Sequence, residues 1–264
     1  MFKYLSVFRT SFRQESKAKW NMVITAINFL VIAYVLYMLW NYIYTNGQGE
    51  LIEGYTLEMM IWYLIMSEVL AYSFNARRVT ISFSSQIKSG AIAYQLNKPY
   101  NYYFYQISTN FATFAMRAIF ILPAGIIMGL ICVGGIANFS AAYVFPILLS
   151  YILGFMTNLT MYAIIGLLAF WVEESTPFTW IIQKFVIVLG TFFPPEFFPS
   201  WLQPFITYSP IYAMMSGPAK LLANFSWQDF LQVSVTQVAY IAIFIGIAMI
   251  LYKFGTRKVN VNGG

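Results

Sequence analysis

The sequence has no histidine and one cysteine, Cys132, set in an apolar run. A disulfide within the chain is therefore excluded, zinc sites of the Cys/His kind have no ligands, and a Ser-His-Asp triad cannot be built. Charge is scarce too: Asp, Glu, Lys and Arg make up 9% of 264 residues, against roughly 25% in a soluble domain. A large core cannot account for that deficit when 60% of residues are hydrophobic and 20% aromatic, so the chain reads as an integral membrane protein. Nothing matches the phosphate loops G-x-x-x-x-G-K-[ST] and G-x-G-x-x-G, or the elbow G-x-S-x-G. Paired carboxylates occur only as Glu50/Glu53 and Glu173/Glu174, in polar turns that read as solvated. No enzyme activity, metal or cofactor is expected on this chain. Residues 1–19 are too polar for the apolar part of a signal peptide, and there is no lipidation box. Asn138-Phe139-Ser140 and Asn224-Phe225-Ser226 fit the glycosylation pattern, which is short enough to arise by chance.

The net charge of +6 is not a nucleic-acid signature, because the basic residues are divided among loops rather than gathered in one patch. Hydropathy divides the chain into six expected membrane spans, each near the roughly 20 residues a bilayer needs, at 20–43, 55–74, 110–133, 142–171, 178–193 and 230–252. Residues 1–19 precede them as an expected amphipathic interfacial helix, with Phe2, Leu5, Phe8 and Phe12 at helical spacing among Lys and Arg. Trp20, Trp40, Tyr42 and Tyr44 mark the interfaces of the first span. Between the fifth and sixth spans, 194–226 holds Pro194, Pro195, Pro199, Pro204, Pro210 and Pro218 among aromatic residues. No straight span survives that many prolines, yet the stretch is too apolar for a solvated loop. It predicts a re-entrant outer hairpin of short helical pieces, shielded by protein.

The long polar interruption is 75–99, which carries Arg77, Arg78, Lys88 and Lys98 and no carboxylate. Its middle predicts a short helix of about three turns, from about Thr80 to Ser89, stopped at Gly90, with Pro99 blocking a simple run into the next span. Such a helix is a natural docking piece for a soluble partner, and an ordinary basic loop is the plainer alternative. Five Lys and Arg precede Trp20, four lie in this loop and three (Lys253, Arg257, Lys258) in the tail 253–264. The positive-inside rule then places both termini and this loop in the cytoplasm. Three charges fall inside expected spans: Glu68, Arg117 and Lys184. All sit at similar depth, roughly 10 Å from the inner end at about 1.5 Å per residue. An unpaired charge there is costly, so Glu68 is expected to pair with Arg117, with Lys184 facing the same cavity or reaching for the headgroups. An ion-coupled secondary transporter using these three is the alternative function; it would carry internal repeats, and none is visible.

Taken together, the pattern resembles the permease subunits of type-2 (ABC-2) ATP-binding-cassette exporters, over nearly the whole chain. The topology carries the resemblance, with three strings: Ile87-Lys88-Ser89-Gly90 through Leu96-Asn97-Lys98-Pro99, Phe193-Pro194-Pro195-Glu196-Phe197-Phe198-Pro199-Ser200-Trp201-Leu202, and Lys258-Val259-Asn260-Val261-Asn262-Gly263-Gly264. The resemblance implies an all-α membrane protein with an interfacial helix, six spans, a cytoplasmic coupling helix and a re-entrant outer hairpin. It implies one half of an export pathway, paired with a second copy or a paralogous permease and seated in the cell membrane on cytoplasmic ATPase subunits that hold the ATP and Mg. The coupling helix would comprise Ile81, Ser82, Phe83, Ser84, Ser85, Gln86, Ile87, Lys88, Ser89 and Gly90. Phe193, Pro194, Pro195, Glu196, Pro199 and Trp201 would belong to a lid at the exit, and spans one, two and five would border the substrate path.

Overall fold

A computed structural model of the chain describes residues 2–47, 51–136 and 139–262, with side chains from residue 3 to residue 257 of these. Glu50, Asn138 and the Gly263-Gly264 end lie outside the described residues. The fold is all-α: α1 (Phe2–Glu15), α2 (Lys19–Asn46), α3 (Leu57–Ser73), α4 (Ala76–Lys88), α5 (Ile92–Leu96), α6 (Tyr102–Val133), α7 (Val144–Leu167), α8 (Thr176–Val186), α9 (Gln203–Thr207), α10 (Gly217–Ala223) and α11 (Trp227–Asn262). Among the described residues the sole extended pairing is one isolated bridge between Ile52 and Tyr55.

Polar residues set the helix starts. Thr56 accepts a hydrogen bond from the Met59 N–H, Asn75 from the Arg78 N–H, and Asn101 from the Tyr103 and Phe104 N–H groups. Each satisfies a donor that the first turn leaves without a partner. Asn75 starts α4 a turn earlier than the hydropathy reading places it. At the other end Gly90 adopts φ +72°, a left-handed conformation that favours glycine, so the expected stop holds.

Among the described residues, five helical stretches are long and apolar enough to cross a membrane: Lys19–Asn46, Leu57–Lys88, Tyr102–Val133, Ala141–Phe170 and Trp227–Arg257. The second includes α3 and α4, which are separated by extended backbone at Phe74. The expected fifth span is not one of the five. It is a composite of α8, 11 residues long, and a five-residue π-helical turn, Ile187–Thr191. Two helices run past the expected spans. The third apolar run begins inside a longer helix, because Asn101 caps α6 at Tyr102 rather than near Asn110. The expected tail after Tyr252 continues α11 to Asn262, since no proline interrupts it. The proline-rich stretch 194–226 is broken as expected, into a 3₁₀ turn at Pro195–Phe197, α9, a second π-helical turn at Tyr212–Ser216, and α10.

The core is centred on α3, whose residues 61–70 are all buried, and on α7. Helices α2, α6 and α10 surround α3, while α4 and α11 pack on α7. α3 and α6 approach closely at Gly125 and Gly129. A Cβ on Gly129 would stand 2.4 Å from the Trp62 ring, and one on Gly125 would stand 2.6 Å from Val69. Small residues at this spacing are how helices in lipid bring their backbones together. α1 lies along the start of α6, with Tyr4 against Phe104 and Phe8 against Phe111.

Candidate functional site

α4 divides cleanly into two faces. Ala76, Val79, Thr80, Phe83, Ser84 and Ile87 are buried. Arg77, Arg78, Ile81, Ser85, Lys88, Ser89 and Gly90 are exposed, with Ser82 and Gln86 at the margins. The outward side is thus basic at both ends around one apolar residue, Ile81, which is 39% exposed. Tyr94 of α5, 70% exposed, extends this surface, with the Lys98 ammonium 4.8 Å from its ring.

The inward side is fastened on every flank. Phe83, with no exposed surface, sits against the rings of Tyr102 and Tyr103, at 6.0 and 5.9 Å between centroids. α7 passes so close that a Cβ on Gly166 would lie 2.6 Å from the Phe83 Cβ and 2.9 Å from the Thr80 carbonyl. The Ser82 carbonyl accepts from Tyr102 Oη (3.1 Å) and Gln106 Nε2 (3.0 Å), while Asn110 Nδ2 donates to Ser82 Oγ (3.1 Å). Thr80 and Thr179 share a hydroxyl contact of 2.7 Å that ties α4 to α8.

Two ion pairs complete the attachment. Arg78 donates to Glu15 at the end of α1, and Thr113 of α6 donates to the same carboxylate at 3.2 Å. Lys88 donates to Glu174 Oε2 at 2.8 Å. The Lys88 ammonium, then the Thr176 hydroxyl and N–H, hold the exposed Glu174 carboxyl down to about 2. The start of α1 reaches the far end of the loop: Lys3 Nζ donates to the Pro99 carbonyl (2.8 Å), and Tyr4 Oη accepts from the Asn101 N–H (3.0 Å). Glu15 is not singled out by the sequence, and Glu174 reads there as a solvated turn residue. Both are close to the basic loop only in space, Glu15 lying 63 residues from Arg78.

The remaining expected positions fall in two places. Glu68 and Arg117 line one cavity, but they form no ion pair; the expected salt bridge is absent from the structure. Depth along two helices can be read from a sequence, but the rotation that turns two side chains toward each other cannot. Lys184 is exposed on α8 and is not among the cavity's lining residues, so the three charges do not assemble into a relay.

The outer hairpin is organised by Glu196. Tyr55 Oη donates to its Oε2 (3.2 Å), and Lys220 Nζ donates to its Oε1 (2.9 Å) while lying 3.6 Å from Asp229. Phe193 packs edge-on against Trp40, Pro195 is buried, and Pro199 and Trp201 are exposed. The π-helical turn before it displaces carbonyls from the regular ladder. Tyr63 Oη lies 3.1 Å from the Gly190 and Phe193 oxygens, Ser67 Oγ donates to Thr191 (3.0 Å), and Ser216 Oγ donates to Gly190 (3.1 Å). Among the described residues no cluster of His, Cys, Asp or Glu is placed to hold a metal ion.

A helical bundle with a basic, rigidly mounted helix between its second and third apolar stretches matches a known family. The family described as "ABC-2 family transporter protein" covers residues 30–263. The chain belongs to that family. It is a multi-pass membrane protein of the ABC-2 permease type, the membrane component of an ATP-binding-cassette transporter rather than its catalytic one. The match takes in α4, the stretch 194–226 and the cavity lining apart from Thr25, and it begins within α2, so α1 and its bonds to α4 lie outside it. A comparison with curated proteins returns no significant match.

Proposed function

We infer that this ABC-2 permease is the membrane half of an ATP-driven exporter and that α4 is its coupling helix. The observation that carries this is the contrast between the two faces of α4. One is locked to α1, α6, α7 and α8; the other presents Arg77, Ile81 and Ser85 as exposed side chains. A helix mounted this way transmits displacement instead of absorbing it, because interfaces this tightly packed move as bodies. Its basic surface suits an acidic groove on a soluble ATPase, which would bring the ATP and Mg. In this reading the chain crosses the cell membrane six times, α8 and its π-helical turn making the fifth, short crossing. Both termini and α4 face the cytoplasm, the 194–226 hairpin closes the exit, and a second copy or a paralogous permease completes the pathway.

The test is to co-express the chain with a candidate ATPase and measure ATP turnover with and without the permease. Ile81→Asp combined with Arg77→Glu should lower permease-stimulated turnover at least tenfold while leaving membrane insertion and thermal stability unchanged. Unchanged stimulation, or labelling of a cysteine at Ser85 from outside intact cells, overturns the assignment.

A further inference from the structure

A cavity of about 370 Å³ lies between α2, α3, α6 and the π-helical turn after α8. Its walls are mostly apolar, with Ile32, Tyr72 and Phe192 among them, and two charges face into it: Glu68 from α3 and Arg117 from α6. Glu68 is only 5% exposed, yet it accepts no hydrogen bond and has no cation within 4 Å among the described residues. The Nε of Arg117 is buried without an acceptor. Neighbouring charges do not fill either vacancy. Glu15, the carboxylate nearest Arg117 on the α1 side, is taken by Arg78 and Thr113. Lys184 is turned outward on α8.

A buried carboxylate and a half-buried guanidinium with an unpaired Nε, sharing a space without meeting, leave polar atoms for a ligand to satisfy. A single cation would satisfy Glu68 and leave Arg117, and a single anion would do the reverse. A molecule carrying both signs a few bonds apart satisfies both and adds no net charge. A cavity of this volume, open on one side, takes a headgroup and leaves a chain room to continue outward. Its apolar walls suit the first carbons of a tail that continues into the bilayer.

Resting on the export reading above, we propose that this cavity receives the head of a zwitterionic amphiphile, with an ammonium on Glu68 and a phosphate or carboxylate on Arg117. Thr25 and Thr191, also in the lining, add hydroxyls for the remaining oxygens. Guanidinium suits such an anion because it offers two parallel donors.

The test uses the purified full-length chain in detergent, without an ATPase, and three tail-labelled single-chain probes: lysophosphatidylethanolamine, lysophosphatidylglycerol and an alkyltrimethylammonium. The zwitterionic probe should bind about tenfold more tightly than either singly charged one, the scale of one charge-assisted hydrogen-bonded contact. Glu68→Gln should bring it down to the level of the phosphatidylglycerol probe. Arg117→Gln should weaken both phosphate probes and spare the ammonium. Binding of all three within twofold, equal binding of the ammonium probe, or a preference that survives Glu68→Gln overturns the proposal. Should either variant fail to fold, the wild-type series decides alone. Free phosphoethanolamine at millimolar concentration should not displace the bound amphiphile; equal displacement would make the ligand a small zwitterion and end the amphiphile assignment. Because binding is read without nucleotide, its loss and a failure of ATP-driven transport are separate results.

Discussion

The helix α4 and the stretch 194–226 both bridge apolar helices, and ion pairs help to hold both, yet they are built in opposite ways. α4 is one continuous helix of 13 residues, seated on Phe83 and on glycine at its crossing with α7. The outer stretch is four short pieces, two of them irregular, joined at prolines and held through Glu196 and Lys220. The first is tied by apolar packing that does not weaken gradually. The second is packed in this way only over 212–223, where α10 lies on α3, and its earlier half is held by partly exposed groups around Glu196 that water and salt can replace. A transporter needs both kinds of bridge, one that keeps its shape under load and one that gives.

That contrast can be broken by substitution. The largest effect is expected from Phe83→Ala, which leaves a cavity at a fully buried site and should cost about 3–4 kcal/mol in unfolding measurements. A loss below about 1 kcal/mol would mean that the α4 seat is no firmer than the outer hairpin. The Ile81→Asp and Arg77→Glu pair should leave stability intact, separating the seat of α4 from its working face. Lys220→Met removes the cation between Glu196 and Asp229 and should cost on the order of 1 kcal/mol, given the partial exposure of all three side chains. Adding Glu196→Gln should restore part of that loss, and the effect should shrink in high salt. An effect as large as that of Phe83→Ala would erase the distinction between the two regions.

The smallest effect is set by pH. The Glu174 carboxyl is held down to about 2, below its ordinary value of 4.5, so the Lys88–Glu174 contact contributes fully above that ordinary value. Its contribution is lost as pH falls from 4.5 toward 2. The protection of amides at the C-terminal end of α4, after correction for the intrinsic pH dependence of exchange, should fall over this window, and Glu174→Gln should abolish that dependence while leaving Phe83 protected. A pH response that persists in Glu174→Gln would assign it to another carboxylate.

Much of this architecture is legible in the sequence, for physical reasons that can be named. The apolar runs locate the long helices because hydrophobic length tracks bilayer thickness. Gly90 and the prolines of 194–226 announce breaks because they restrict or free the backbone itself. Hydropathy does not separate a helix end from a membrane boundary, so α6 and α11 run past the apolar stretches that revealed them. Nor does it show rotation, which is why Glu68 and Arg117 share a cavity without pairing. The fastenings of α4 were hidden for a third reason. Glu15 and Glu174 stand in polar local surroundings and acquire meaning only when folding brings them to Arg78 and Lys88. The exposed stripe of α4 was recognisable from its basic residues, whereas its division into a seated face and a free one required Phe83 and Gly166 to be placed.

α6 runs without interruption from Gln106 and Asn110, which grip α4, to Gly125 and Gly129, which nest against α3. Each residue of an α-helix turns the chain by about 100°, so inserting or deleting one residue between those two sets would swing one away from its counterpart. The stretch between Asn110 and Gly125 therefore works as a keyed shaft, fixed in angular phase as well as in the buried residues, Phe114 and Ile121 among them, that it sets into the core. Even a change of seven residues, which returns both ends to nearly the same bearing, would move them about 10 Å apart along the axis and off their counterparts.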